Sequence, residues 1–147
     1  MKEPPLPTHI DANGSARFDA LTAPECVVGD IEPNDTLTTA QAVVLTDNLW
    51  IPGSIEPIGD FDWFQVSLTA GDRVWAYLYT QQSAGQDSQI YLTDPLSDTV
   101  QFDDDTGSQG SLSSAIAGAP ITQTGTFYLK VQEFGNNGLI DPYQFLV

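Results

Sequence analysis

Short apolar segments separated by turn-forming residues are the feature that most restricts the fold of this chain. Eight such segments follow residue 48, each bounded by glycine, proline, aspartate or asparagine, the residues that end strands and form turns. They are residues 49–53, 63–68, 73–80, 89–93, 99–102, 113–116, 126–134 and 143–147. No long helical period lies between them, so the sequence predicts an all-β protein of about eight strands.

Alternation within the best of these segments predicts how the strands pack. Phe64, Val66 and Leu68 fall on one face of their strand, because successive side chains point to opposite sides. Residues 126–131 repeat the pattern. Strands of this kind, joined by short loops, favour two antiparallel sheets packed face to face over a parallel sheet covered by helices. We therefore expect an antiparallel β-sandwich.

Two regions ahead of these segments do not follow the strand pattern. Residues 35–43 begin with the helix-capping residues Asp35 and Thr36 and continue with a modest helical period, so we expect one short N-terminal helical turn there. Residues 1–28 contain several prolines and show no sustained period, which indicates a linker or N-terminal extension. A chain of 147 residues then provides one folded domain, residues 29–147.

The charge of the chain excludes some partners. Its formal net charge is −16, from 20 acidic residues against four basic ones. Such a surface repels nucleic acid and anionic membranes, so neither is expected as a partner. The sequence lacks the run of about 18 apolar residues that spans a bilayer, and its first residues lack the apolar region of a signal peptide. The acidity suits divalent cations, or a salty medium that screens the repulsion.

Catalytic motifs are missing from the part of the sequence expected to fold. The only histidine, His9, lies in the expected linker, and no Gly-x-Ser-x-Gly, phosphate-binding loop or His-Glu-x-x-His motif is present. The single cysteine, Cys26, permits no internal disulfide. Cys26 is interpreted either as a small residue in the segment before the folded domain or as one half of a disulfide to another part of a longer protein. We expect that the chain is not an enzyme, because no nucleophile is paired with a base.

Two oxygen-rich stretches about 25 residues apart are the best candidate for a binding site. Their candidate metal ligands are Asp30, Glu32, Asn34, Asp35, Asp60 and Asp62. Carboxylate and amide oxygens are the ligands that calcium prefers, and the stretches contain no cysteine or histidine that would indicate zinc. The same residues also suit helix caps and turns, so both interpretations stay open.

A third acidic stretch allows two interpretations. Asp103, Asp104 and Asp105 stand shortly before Gly107, in a pattern that suits either a second cation or a solvated acidic turn. The glutamate that would complete an EF-hand loop is absent from the sequence.

An aromatic row on one predicted strand is a candidate for ligand binding. Trp75, Tyr77 and Tyr79 share one face of the strand, and aliphatic residues occupy the other. An exposed row would suit a sugar polymer or a fibrous protein. In the alternative interpretation, the row packs inside the sandwich and the aliphatic set is less buried. Trp63 and Trp50 are further candidates for exposure.

An ordered series of short motifs runs through residues 29–147. The motifs are Glu-Pro-Asn-Asp-Thr at 32–36, Gly-Ser-Ile at 53–55, Gly-Asp-Phe-Asp-Trp-Phe at 59–64, Leu-Thr-Ala-Gly-Asp at 68–72, Asp-Asp-Asp at 103–105, Gly-Thr-Phe-Tyr-Leu-Lys-Val at 125–131 and the closing Tyr143. In this order they resemble the bacterial pre-peptidase C-terminal domain, a family related to the collagen-binding domains of clostridial collagenases.

The resemblance implies a β-sandwich of jelly-roll type, attached as a non-catalytic accessory domain to a secreted bacterial hydrolase, often a peptidase. It implies Ca²⁺ as the cofactor, and the ligands that it indicates are Glu32, Asn34, Asp35 and Asp62, followed by Asp60 and Asp30. It further implies a location outside the cell or at its surface, and a role in substrate targeting, stability or secretion. We expect a monomeric unit with the parent catalytic domain in the same polypeptide, and a fibrous protein or polysaccharide as target.

Three functions remain compatible with the sequence. The first is a calcium-binding accessory domain of a secreted hydrolase, the second a carbohydrate-binding or adhesin-type sandwich, and the third a passive spacer. The chain begins without a secretion signal and ends on a predicted strand. We therefore expect it to be a piece of a larger secreted enzyme.

Overall fold

The computed structural model describes residues 9–10, 16–17, 29–45, 49–80, 87–105 and 112–147. In these ranges the regular structure is almost entirely β-strand, and the helical part is the 3₁₀ helix Phe134–Asn136. No helix in the described ranges has the length and apolar character needed to cross a membrane.

The eight strands predicted from the sequence are all present, with shifts of a few residues at their ends. The described strands are β1 His9–Ile10, β2 Ala16–Arg17, β3 Gln41–Ala42, β4 Trp50–Ile55, β5 Asp62–Leu68, β6 Arg73–Tyr79, β7 Ser88–Thr93, β8 Thr99–Asp104, β9 Ala115–Pro120, β10 Gly125–Glu133 and β11 Ile140–Leu146.

The strand order is that of a jelly roll. One sheet has the order β3-β5-β10-β7-β8 and the other β4-β11-β6-β9. Neighbours pair antiparallel, except that β3 runs parallel to β5. If the eight strands β4 to β11 are numbered 1 to 8, the order is 1-8-3-6 in the four-stranded sheet and 2-7-4-5 in the other. This order arises from two Greek keys, and it confirms the expected antiparallel sandwich of jelly-roll type.

The core lies between the inner faces of the two sheets. Phe64, Val66 and Leu68 of β5 point inward, as the alternation predicts, and each is at most 5% exposed. The Phe64 ring lies 5.5 Å from the ring of Phe145 in β11, which joins the two sheets. Burial of each such side chain contributes about 1.5–3 kcal/mol to stability.

Residues 36–39 form a hydrogen-bonded turn in place of the expected helical turn. The Thr39 N–H donates to the Thr36 carbonyl oxygen (3.0 Å), and the chain then enters β3. Just after β3, the Val43 N–H donates to the Gln65 carbonyl (2.9 Å), and the Val43 side chain joins the core. Pairing with the edge of β5 and burial of Val43 outweigh the weak helical tendency of this segment.

The segment 1–28, expected to be a linker or extension, is described only in β1 and β2. These two strands pair antiparallel, with His9 opposite Arg17 and Ile10 opposite Ala16. The rest of the segment, including Cys26, lies outside the described residues.

Candidate metal centre

The two oxygen-rich stretches meet beside the beginning of β5. The Trp63 N–H donates to the Asn34 carbonyl oxygen (3.1 Å), and the Asp30 N–H donates to the Pro52 carbonyl oxygen in β4 (2.9 Å). Because β4 and β5 belong to different sheets, the segment that starts at residue 29 is bonded to both layers of the sandwich.

All five predicted acidic ligands come together at this place. Asp30, Glu32 and Asp62 form one group, and Glu32, Asp35 and Asp60 form another; within each group the carboxylates offer oxygen atoms that lie within 4.8 Å of one another. Glu32 belongs to both groups. The acids therefore form one continuous cluster, which we call the acidic cluster.

Asn34, the predicted amide ligand, lies in the acidic cluster and is fully buried. Its Nδ2 donates to Asp30 Oδ1 (2.6 Å), and its backbone N–H donates to Glu32 Oε2 (3.1 Å). Its Oδ1 is buried and has no hydrogen-bond partner in the described part of the chain. A buried acceptor without a donor costs about 1–3 kcal/mol, so this oxygen has the capacity to bind a further group.

Asp62 is the most deeply placed carboxylate, fully buried at the start of β5. Its Oδ2 accepts a hydrogen bond from the hydroxyl of Tyr143 in β11 (2.5 Å). Its Oδ1 is buried without a hydrogen-bond partner among the residues that the structure describes. Asp62, like Asn34, thus has one oxygen that the protein itself leaves unpaired.

Tyr143 and Gly53 are site residues that the sequence interpretation did not assign. A Cβ at Gly53 would lie 2.4 Å from the Tyr143 hydroxyl oxygen and 2.8 Å from the Asp30 Cβ. Only glycine therefore lets β4 pass between Tyr143 and the acidic cluster. Tyr143 was visible as a closing motif residue, but the sequence contained no signal that it contacts Asp62.

Asp60 can act both as a turn-forming residue and as a metal ligand, so the two interpretations of the oxygen-rich stretches are compatible. Its Oδ2 accepts from the Glu56 N–H (3.0 Å) and its Oδ1 from the Phe61 N–H (2.9 Å). These bonds shape the turn before β5, as expected for an aspartate in a turn. The same carboxylate stays within reach of Glu32 and Asp35.

Burial and mutual repulsion raise the pKa values of three aspartates in the acidic cluster. Burial, followed by the charge of Asp30, raises the pKa of Asp62 to about 9. Burial raises the pKa of Asp30 to about 6, with a further contribution from Glu32. Burial and a hydrogen bond shared with Asp35 raise the pKa of Asp60 to about 6. The cluster therefore favours a compensating positive charge, from protons or from a cation.

The oxygen atoms of the acidic cluster fit a hard cation. Calcium takes six to eight oxygen ligands at about 2.3–2.6 Å, and five carboxylates with one amide oxygen supply enough of them. Cysteine and histidine, which zinc prefers, do not occur in residues 29–147. The unpaired Asn34 Oδ1 and Asp62 Oδ1 are acceptors that a bound cation would satisfy.

A second acidic group lies at the other edge of the five-stranded sheet. It contains Asp87, Asp104 and Asp105. Burial, followed by the charges of Asp105 and Asp104, raises the pKa of Asp87. Asp103 does not belong to this group, and its Oδ2 accepts a hydrogen bond from the Ala115 N–H (2.7 Å). Two of the three consecutive aspartates are thus brought together, with Asp87 as a member that their spacing did not indicate.

The row Trp75, Tyr77 and Tyr79 belongs to the outer face of the four-stranded sheet. The alternative in which this row packs inside the sandwich is wrong, because the aliphatic residues between its members belong to the core; these are Val74, Ala76 and Leu78. Because successive side chains point to opposite faces of a strand, the aliphatic residues face the other sheet and the aromatic row faces outward. Tyr77 is only 7% exposed, and a Cβ at Gly118 would lie 3.3 Å from the Trp75 ring. Ligand binding by this row stays a prediction.

Comparisons with known proteins agree with this architecture. The family model described as "Bacterial pre-peptidase C-terminal domain" matches residues 60–133, half of the chain. The chain is also similar to the solved pre-peptidase C-terminal domain of a collagenase from Bacillus anthracis, with 16% identity, a TM-score of 0.50, and coverage of 73% of this chain and 91% of that one.

A second solved structure is PliG of Aeromonas hydrophila, a periplasmic inhibitor of g-type lysozyme. It shows 11% identity and a TM-score of 0.42, over 73% of this chain and 94% of that one. No curated protein matches the chain. At such identities a structural likeness concerns the fold alone, whereas the family match covers β5 to β10 together with Asp60 and Asp62. The chain therefore belongs to the bacterial pre-peptidase C-terminal domain family, whose members are non-catalytic accessory domains of secreted peptidases.

Proposed function

We propose that this chain is a calcium-binding accessory domain of a secreted bacterial peptidase, carried in the same polypeptide as the catalytic domain and located outside the cell. One observation supports the calcium most directly. Asn34 Oδ1 and Asp62 Oδ1 are buried without hydrogen-bond partners among the described residues, within a cluster of five acids.

Caps and turns alone do not account for the acidic cluster. They explain Asp60, both of whose carboxylate oxygens accept backbone N–H groups. They do not explain why Asp62 is buried beside Asp30, where each charge raises the free energy of the other. A divalent cation would convert this repulsion into attraction, because its charge favours the ionised carboxylates.

Basic side chains do not supply the missing positive charge. Residues 29–147 contain only Arg73 and Lys130. The Arg73 guanidinium donates to the Gly118 carbonyl oxygen (3.0 Å), and the Lys130 ammonium lies 3.9 Å from the centre of the Tyr91 ring. Both contact uncharged groups, since the Lys130 ammonium also lies 5.5 Å from the ring centres of Phe61 and Trp63.

A bound cation would act as a clamp between three parts of the chain. The acidic ligands belong to residues 30–35 and to residues 60–62, and Asp30 is bonded to Pro52 in β4. Joining them would fix the direction in which the preceding chain leaves the sandwich. Since the cation binds the folded state, it would stabilise the domain by about 2.7 kcal/mol at a hundredfold excess over its dissociation constant.

Thermal unfolding across a calcium titration tests this function. We expect the melting temperature of the metal-stripped protein to rise with calcium, and the Asp62→Asn variant to lose most of that rise. Asp98→Asn makes the same charge change at an exposed position in the turn between β7 and β8, away from the cluster. This control should respond to calcium like the unmodified protein. A melting temperature that ignores calcium, or an Asp62→Asn variant that responds fully, would show that the cluster is not a calcium site.

A further inference from the structure

Aromatic side chains form a continuous row across the five-stranded sheet. Trp63 of β5 lies opposite Lys130 of β10, Lys130 lies opposite Tyr91 of β7, and Tyr91 lies opposite Phe102 of β8. We call these four residues the aromatic ladder. Because neighbouring strands lie about 4.8 Å apart, the ladder is about 14 Å long.

Ring contacts make the aromatic ladder one surface. The ring centres of Tyr91 and Phe102 lie 4.6 Å apart, and those of Trp63 and Tyr128 lie 6.4 Å apart in an edge-to-face arrangement. The Lys130 ammonium lies 3.9 Å from the Tyr91 ring centre and 5.5 Å from that of Trp63. Lys130 thus fills the gap between two rings with its methylene stem and holds its charge over their faces.

The aromatic ladder faces away from the core. Phe64, Leu129 and Ile90, which neighbour its members along β5, β10 and β7, are fully buried between the sheets. Alternation therefore directs the ladder to the outside. Phe102 is 42% exposed and Val100, on the same strand, is 39% exposed. Large apolar side chains exposed side by side on a strand are typical of a binding surface.

The charge of this outer face differs from that of the domain. Residues 27–147 contain 16 acids against two bases. On the outward positions of β5, β10, β7 and β8, the charged residues are only Lys130 and Asp104. The remaining outward residues are the aromatic rings with Gln, Ser, Thr and Val. A neutral face on a strongly negative domain suits an uncharged ligand, since a polyanion would be repelled by the surrounding surface.

Polar groups beside the aromatic ladder suit hydroxyl groups where they stay accessible. Gln65 is half-buried opposite Tyr128, whereas Thr93, Gln89 and Gln132 are buried and Gln132 Nε2 donates to Gln89 Oε1 (2.6 Å). Amides and hydroxyls both donate and accept hydrogen bonds, as sugar hydroxyls do. A peptide would instead add to a sheet edge through its backbone or dock in an aromatic groove, whereas the ladder presents side chains on the outer face of the sheet.

We propose that the aromatic ladder binds a flat, uncharged β-linked polysaccharide, whose sugar rings stack on the exposed Phe102 and contact the outward parts of Tyr91, Lys130 and Trp63 along the row. The apolar C–H face of a pyranose ring is complementary to the negative face of an aromatic ring. A row of rings across four strands accepts several consecutive sugars rather than a single one. This inference rests on the proposed accessory function, because it identifies the insoluble material to which the domain attaches its parent enzyme.

Retention of the whole chain on insoluble polysaccharide tests the inference. Microcrystalline cellulose and chitin are the probes, with fibrous collagen in parallel, each in calcium and in chelator. We expect retention on at least one of the two polysaccharides, and a decrease of at least tenfold for Phe102→Ala and for Tyr91→Ala. Phe134→Ala removes another exposed phenylalanine, 49% exposed and outside the ladder, and should be retained like the unmodified protein. Melting temperatures show whether each variant is folded.

The possible outcomes separate this inference from the calcium proposal. Retention that depends on Phe102 supports the ladder even where melting ignores calcium. Retention on neither polysaccharide overturns the inference, and so does retention that Phe102→Ala leaves unchanged. Ladder-dependent retention on collagen alone would assign the surface to a fibrous protein. If Trp75→Ala lost binding while Phe102→Ala kept it, the binding surface would be the outer face of the four-stranded sheet.

Discussion

The hydroxyl of Tyr143 donates a hydrogen bond to the carboxylate of Asp62 across 81 positions of sequence (2.5 Å). Both residues are fully buried. The bond joins β11 of one sheet to β5 of the other, at the place where the acidic cluster contacts the core. The last strand therefore positions a carboxylate of the candidate metal centre.

Removing this donor should destabilise the domain. In Tyr143→Phe, Asp62 would keep no hydrogen-bond donor on either oxygen among the described residues, because its Oδ1 is already unpaired. We expect the calcium-free free energy of unfolding to fall by about 1–3 kcal/mol, as measured by chemical denaturation. Tyr128→Phe, which removes the hydroxyl of a half-buried tyrosine on the outer face, should change this free energy by less than about 0.5 kcal/mol. Equal stability of the two variants would show that the Tyr143 bond contributes nothing.

Gly53 should be intolerant of the smallest side chain. The Cβ of Gly53→Ala would overlap the Tyr143 hydroxyl at 2.4 Å and the Asp30 Cβ at 2.8 Å, so β4 would be pushed away from the acidic cluster. We expect a loss of about 1–3 kcal/mol in the free energy of unfolding and a weaker response to calcium. Gly29→Ala is the matched control, since its Cβ would make only ordinary contacts, at 3.4 Å and beyond. A Gly53→Ala variant as stable as Gly29→Ala would contradict this packing.

Much of the fold could be predicted because alternation is a local property. Each long strand contains its own pattern of inward and outward residues, and turn residues mark its ends. The first and last residues of a strand were harder to predict where the strand contains residues that disfavour strands. Pro142 lies inside β11 at a shift in register, so the predicted strand began one residue after it. β9 contains Gly118 and ends with Pro120, and its length is determined by pairing with β6.

The site was predictable only in part, for a related reason. The acidic ligands occur in two compact motifs, and the chemistry of their oxygens is readable from residue type. The contact of Tyr143 with Asp62 depends on which strands face each other across the core. The aromatic ladder depends on a strand order, β5-β10-β7-β8, that no local pattern contains. Long-range register is therefore the information that the sequence interpretation lacked.

Without calcium, the domain should lose stability as the pH rises. The folded-state pKa values, about 6 for Asp30 and Asp60 and about 9 for Asp62, lie above the ordinary value of 3.8. The folded state therefore binds protons more tightly than the unfolded chain. The resulting stabilisation is complete below about pH 4 and is lost as the pH rises through 6 and then through 9.

Chemical denaturation in chelator at pH 5, 7 and 9 measures this loss. Asp62→Asn should remove the part of the decline between pH 7 and 9, because its amide cannot ionise. Saturating calcium should flatten the whole curve for the unmodified protein. Stability that increases from pH 5 to 9 in chelator would contradict the repulsion within the cluster.

Calcium should slow hydrogen exchange at the two backbone bonds that hold the lead-in to the sandwich. These are the Asp30 N–H to Pro52 and the Trp63 N–H to the Asn34 carbonyl. If the cation clamps the segment 30–35 to β4 and β5, local opening of these bonds becomes rarer, and we expect exchange at both amides to slow at least tenfold. The Ile121 N–H, which donates to the Asp72 carbonyl away from the cluster, should slow less. Asp62→Asn should show no such difference between calcium and chelator. Uniform slowing of all three amides would mean that calcium stabilises the domain as a whole without clamping its lead-in.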